Sequence, residues 1–193
     1  MTRRTLDRLI SLAGLTLTVL LLAAGGLLTW AHNYVSDEVH SQLVAQRIYF
    51  PAKDAPSIAA PEYDAIRQYA GQELTTGAQA KAYADHFIAN HLQHTGGGKT
   101  YAELSTQAQA DPTNTKLAAT VNTMFKGETL RGLLLNAYAF DTMGSIAGIA
   151  ALVAYAGAGV LLLLSALGFW HSRSAGIEDI EFFVHHHSVP TAS

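Results

Sequence analysis

The sequence predicts an all-α protein: two transmembrane helices joined by a small helical extracytoplasmic domain. Three observations carry that expectation. Two long apolar runs contain no charged residue; between them, apolar side chains recur at helical spacing; and no stretch alternates apolar and polar residues as a half-buried strand does. Of the 193 residues 49% are hydrophobic and 14% charged, against roughly a quarter charged in soluble domains. The shortage of charge is concentrated in the two runs.

Residues 1–8 form a cytoplasmic N-terminus that carries Arg3, Arg4 and Arg8. The first span, residues 9–30, is "LISLAGLTLTVLLLAAGGLLTW". At the α-helical rise it is roughly 33 Å long, enough for a ~30 Å hydrocarbon core. A cleaved signal is the alternative for this run. Its apolar stretch exceeds the roughly 7–15 residues of a signal core, and its best small-residue cleavage site is Thr29-Trp30-Ala31, so the uncleaved span is preferred. The second span, residues 143–170, holds "GSIAGIAALVAYAGAGVLLLLSALGFW" and is long enough to tilt. Neither run has the polar face of a soluble surface helix.

Arginines before the first span and Arg173 after the second place both termini in the cytoplasm, since short Arg- or Lys-rich segments stay inside. The central residues 31–142 carry eight Lys/Arg and eleven Asp/Glu, and long loops cross regardless of charge. Trp30 and Tyr34 then anchor the outer interface and Trp170 the inner one. The cytoplasmic tail, residues 171–193, includes His185-His186-His187 and apolar Ile177, Ile180, Phe182, Phe183 and Val184, a pattern that suits docking on a partner.

Within the central segment the first helix should continue outward on Val35, Val39 and Leu43. Pro51, Pro56 and Pro61 then interrupt it. Pro61 suits the start of a helix running to about Ala70, with Gly71 at its end. Thr76-Gly77-Ala78-Gln79 has the form of a capping box and opens a helix over about 77–94. Gly96, Gly97 and Gly98 should end it. Thr100-Tyr101-Ala102-Glu103 is a second capping box. A short helix over about 115–125 follows the Asp111-Pro112 turn. After Gly127 another helix begins and runs into the second span.

Gly98-Lys99-Thr100 looks like the end of a phosphate-binding loop. Such a loop needs glycine five positions before Gly98 and a preceding strand; position 93 is Gln93, and a helix precedes it. The stretch is therefore read as a helix–turn–helix joint with Lys99 solvated, and no nucleotide is expected. A net charge of −3 gives no footprint for nucleic acid. The chain has no cysteine, which removes thiolate metal sites and disulfides.

Of the nine histidines, His91 and His94 lie three apart on one helix and make the best candidate for half a metal site. His86 points elsewhere around that helix. Asp37-Glu38-Val39-His40 resembles one arm of a di-iron site, which needs two such arms and two further carboxylates. No cofactor is expected. Gly144, Gly148 and Ala151 make a small-residue face on the second span. Gly25 and Gly26 end a similar stretch on the first. Such faces let helices approach closely in lipid, against each other or against another subunit. Asp141 lies where the second span emerges, an ionisable group at the membrane edge.

The segments "ELTTGAQAKAYADHFIANHLQHTGGGKTYAELSTQAQADP" and "FKGETLRGLLLNAYAFDTMGSIA" carry a resemblance. The chain resembles a family of small two-span membrane proteins from high-GC Gram-positive bacteria, over residues 47–170. Members sometimes carry an aromatic ring-opening dioxygenase label. That chemistry uses two His and one carboxylate around iron, and the resemblance supplies no catalytic residues for it.

The expected function is therefore that of an integral membrane protein, a non-enzymatic accessory or scaffold subunit of a membrane complex. Its partners would be the bilayer and either another protein or further copies of itself. The alternative is an extracytoplasmic ligand or metal sensor coupled to the cytoplasmic tail.

Overall fold

A computed structural model describes residues 3–174. All the regular elements among these residues are helical: α1 (Arg3–Gln46), one-turn 3-10 helices at Pro56–Ile58 and Pro61–Tyr63, α2 (Asp64–Arg67), α3 (Gly77–Ala82), a π turn (Tyr83–Ile88), α4 (Ala89–Gly96), α5 (Tyr101–Ala110) and α6 (Thr115–Ser174). The only extended pairing among them is an isolated bridge between Tyr49 and Glu73. The apolar tail residues and His185–His187 lie outside the described residues.

The chain divides into two compact units: residues 29–148 form one, and the flanking residues on either side form the other. In the flanking unit α1 and α6 pack antiparallel on small residues. Gly14 lies against Ser165, Gly168 against Ser11, Gly157 against Leu21, and Gly25 against the ring of Tyr155. The paired residue numbers add to between 178 and 180, one constant register along the unit. Ala151, Ala154 and Ala158 are buried in this seam, while Leu152 and Leu163 face outward, 70% and 67% exposed. The apolar window of each long helix is only 17% buried. A soluble core helix would instead have such residues mostly covered by protein. Both helices are long and apolar enough to cross a membrane.

The unit of residues 29–148 has its own core, with Leu43, Ile58, Ile66, Leu74, Met124 and Leu134 fully buried. α1 ends on Arg47, whose positive φ of 50° makes it a left-handed cap. The chain then loops back on itself: the Phe50 amide donates to Gln72 (2.9 Å) and the Leu74 amide to Ile48 (2.8 Å). Phe50 meets Tyr69 and Tyr83 edge-on or tilted, both with ring centres 5.2 Å away. Arg67 fastens the loop. Its guanidinium donates to the carbonyls of Ile58, Ala59 and Ala60 and pairs with Asp64. A planar fork of five donors suits that task where an ammonium would not.

The helix expected from Pro61 to Ala70 is shorter than the sequence suggests. It is a 3-10 turn followed by four α-helical residues, because the Arg67 contacts hold the preceding carbonyls in a bent path. Both capping boxes form. Thr76 and Gln79 cap α3, and Thr100 and Glu103 cap α5, each with reciprocal side-chain and backbone bonds. Gln79 is 8% exposed and also donates to Gln72 (3.1 Å). The helix expected over 77–94 runs to Gly96 and passes through the π turn. Gly97 and Gly98 follow with φ of 61° and 79°, conformations glycine adopts without penalty. Lys99 is exposed, and its ammonium donates to Gln107 (2.9 Å).

No break occurs at Gly127. The separate helix expected over 115–125 is the first part of α6, which continues unbroken for 60 residues. A β-carbon at Gly127 would run into the Leu92 side chain. The glycine is a notch that receives Leu92, and the helix continues around it.

Candidate binding groove

In the unit of residues 29–148, α1 and α6 approach closely through small residues of α6. Gly144 lies under Val35, where a β-carbon would come within 3.1 Å of the valine side chain. Gly148 lies under the imidazole of His32, also at 3.1 Å. His32 Nδ1 donates to the Gly144 carbonyl at 2.8 Å. The small-residue face of Gly144 and Gly148 is thus occupied by the first helix of the same chain. Ala151, in the flanking unit, is 3% exposed. Gly25 is buried against Tyr155, but Gly26 is exposed, and a β-carbon there would meet none of the described residues within 4 Å beyond its own helix backbone. Of the two, only Gly25 meets α6 of this chain. They are adjacent, so about 100° separates them around a helix, and only one can meet a given neighbour.

Farther along the same two helices, a groove of about 390 Å³ opens between them. Val39 and Leu43 form its floor, 8% and 2% exposed. Tyr34, Leu133 and Phe140 line it and are 57–58% exposed. Gln42, Gln46, Asn136 and Glu38 supply its polar groups, and no Lys or Arg lines it. Glu38 accepts from the Gln42 amide at 2.5 Å. An apolar concavity of this size with a few convergent polar groups is the usual form of a binding site. Tyr34 also stacks on Trp30, with ring centroids 5.6 Å apart and planes 18° from parallel. The two expected outer anchors thus act as one aromatic pair. Trp170, the expected inner anchor, is 72% exposed.

A second constellation sits on the π turn. Asp85 accepts from Lys81 (2.5 Å) and from Arg131 of α6 (3.3 Å), and Arg131 lies 3.5 Å from Glu128. Lys81 also stands over the Tyr138 ring at 5.4 Å. The Lys81 bond, followed by Arg131, holds the Asp85 carboxyl below the usual carboxylate range. Burial raises the Tyr83 phenol nearby. Wide π turns often mark functional positions, but here the surplus residue turns Asp85 into a tie between two helices.

His91 and His94, the candidate metal pair, have different surroundings. His94 Nε2 lies 2.7 Å from Glu62, and Asn90 donates to the Glu62 carbonyl at 3.1 Å. His91 is exposed. No group of three His, Asp or Glu side chains gathers for a metal among the described residues. His40 Nδ1 donates to the Thr75 carbonyl at 3.2 Å, away from any second Glu-x-x-His arm. Asp141 packs on Gly77, where a β-carbon would overlap its carboxyl. It lies over the first turn of α3, where the free amide dipoles favour a negative charge.

His32, Tyr155, Ser11 and Ser165 were missed as contact residues. Their sequence signal exists: "SLAG" at 11–14 and "SALG" at 165–168 carry the same Ser-x-x-Gly spacing, as two antiparallel helices with reciprocal notches require.

No protein-family model matches the chain, and no curated protein or solved structure is similar to it.

Proposed function

We propose that the chain is an integral membrane protein of the cell membrane, with both termini in the cytoplasm. It serves as a non-enzymatic accessory or scaffold subunit, and its groove receives a helix of a partner membrane protein. The single observation that carries this reading is the groove between α1 and α6, whose rim side chains Tyr34, Leu133 and Phe140 are exposed. Leu133 and Phe140 are seven residues apart on one helix, the spacing of anchors that meet a partner helix. Gln42, Gln46 and Asn136 offer amides that donate and accept, so a partner's polar groups are satisfied there. The groove lining holds no nucleophile–base pair; it is a recognition surface.

The aromatic pair Trp30–Tyr34 supports an interfacial position at the foot of the groove. The arginine distribution supports residues 31–142 lying outside. The resemblance to two-span membrane proteins of high-GC Gram-positive bacteria agrees with this reading.

Photo-crosslinking tests it. A photoreactive amino acid replacing Leu133 or Phe140, in cells, is expected to yield one discrete adduct with a membrane protein. The same group at Gln109, exposed on α5, is expected to yield none. Absence of any adduct at 133 and 140, with the chain recovered alone and monodisperse in mild detergent, refutes the proposal.

A further inference from the structure

A second cavity, of about 220 Å³, lies within the unit made by the two chain ends. Asp7, Ser11 and Gly14 line it from α1, and Ser165, Gly168 and His171 from α6. Ser11 and Ser165 are 3% and 4% exposed. In apolar helices a serine or threonine hydroxyl ordinarily donates to a carbonyl one turn earlier. Thr16, Thr18 and Ser172 do so here, at 2.9–3.0 Å. Ser11 and Ser165 do not: each rests on a glycine of the facing helix, Gly168 and Gly14, with its hydroxyl left over. Asp7 Oδ2 is also buried and accepts no hydrogen bond from the described residues. One carboxylate and two hydroxyls therefore converge on a space that no side chain of the described residues fills.

Asp7 is partly exposed overall, but a buried carboxylate oxygen without a partner is unfavourable, and buried polar atoms left over together point to a bound water or ion. We propose that this cavity binds a hydrated alkali cation, Na+ or K+. Asp7 supplies the charge, and Ser11 and Ser165 supply neutral oxygen donors. The donor set is mainly oxygen, which suits a hard cation. Zinc prefers several nitrogen or sulfur ligands, and His171 is the sole such group lining the space. A singly charged ion leaves the site neutral with Asp7, whereas a divalent ion leaves a net charge beside an apolar seam. The volume exceeds a bare ion, so the ion keeps several waters, at about 30 Å³ each. This inference is independent of the groove reading, which concerns the other unit.

The test uses the full chain in detergent. Thermal unfolding is followed by tryptophan fluorescence in NaCl, KCl or choline chloride at equal ionic strength. The wild-type midpoint is expected to rise with the logarithm of Na+ or K+ concentration beyond the choline control, as a ligand bound only by the folded state requires. Asp7→Asn is expected to lose that rise, and Ser165→Ala, which keeps the charge, to weaken it. Superimposed curves in all three salts mean the cavity holds water only and overturn the proposal. An undiminished cation-specific rise in both variants does the same.

Discussion

Asp85 shows how a single side chain acquires its role from elements far apart in the chain. Lys81 is one helical turn before it, and that i,i+4 spacing is legible in the sequence. Arg131 is 46 positions away, and nothing local announces it. Together they hold the carboxyl charged. Its folded-state pKa is depressed, so the native chain binds this proton less readily than the unfolded chain. The stability it contributes is therefore present above the ordinary carboxylate range, near pH 4, and is lost as pH falls through the folded-state value. Asp85→Asn is expected to destabilise the unit of residues 29–148 by about 1–2 kcal/mol at neutral pH. The difference from wild type should shrink as pH falls below the ordinary carboxylate range. Circular dichroism melts across that pH range check it; a constant difference contradicts the assignment. His91 and His94 show the converse. Their spacing suggests a shared ligand, yet Glu62 engages only His94, a pairing fixed by the loop that Arg67 fastens.

At the scale of elements, glycine carries two opposite meanings that the sequence does not separate. Gly127 reads as a helix break; in the fold it is a notch for Leu92 within α6. Gly132, one and a half turns on, has nothing within 4 Å of its missing side chain. Gly→Ala in a helix interior gains about 1 kcal/mol where space is free, and overpacking costs about 1–3 kcal/mol where it is not. Gly132→Ala is thus expected to raise the unfolding midpoint and Gly127→Ala to lower it. Gly127→Ala combined with Leu92→Ala should cost less than the sum of the two single changes. Melting curves of the four variants decide it; an equal effect of alanine at 127 and 132 removes the notch. The capping boxes at Thr76 and Thr100 were legible because all their partners lie within four residues. The π turn was not, since Ala80, Ala84, Ile88 and Leu92 are buried at a four-residue spacing that an ordinary α-helix also shows.

At the scale of the whole molecule, the two apolar helices set the problem that the rest of the chain solves. Their outward faces are leucine, isoleucine and valine, exposed in the molecule, the kind of surface that marks contact with a membrane or another protein. The proposed orientation rests on arginine at the two ends and is a separate claim from spanning. The chain lacks cysteine, so single cysteines report it cleanly. In intact cells a membrane-impermeant maleimide is expected to label Gln109→Cys. Arg173→Cys should label only after permeabilisation, and the reverse pattern overturns the orientation.

The sequence by itself determined the all-helical class, the two runs able to cross a membrane, both capping boxes and the glycine turn after α4. Each depends on residues a turn or two apart, or on bulk composition, and such short-range energetics are written locally. Tertiary structure alone decided that Gly144 and Gly148 receive Val35 and His32, that Asp141 covers Gly77, and that α1 and α6 leave a groove at Leu133 and Phe140. Those outcomes depend on which faces of two helices meet. That register is a property of packing between distant segments, where a shift of one residue turns each side chain by about 100° around the helix.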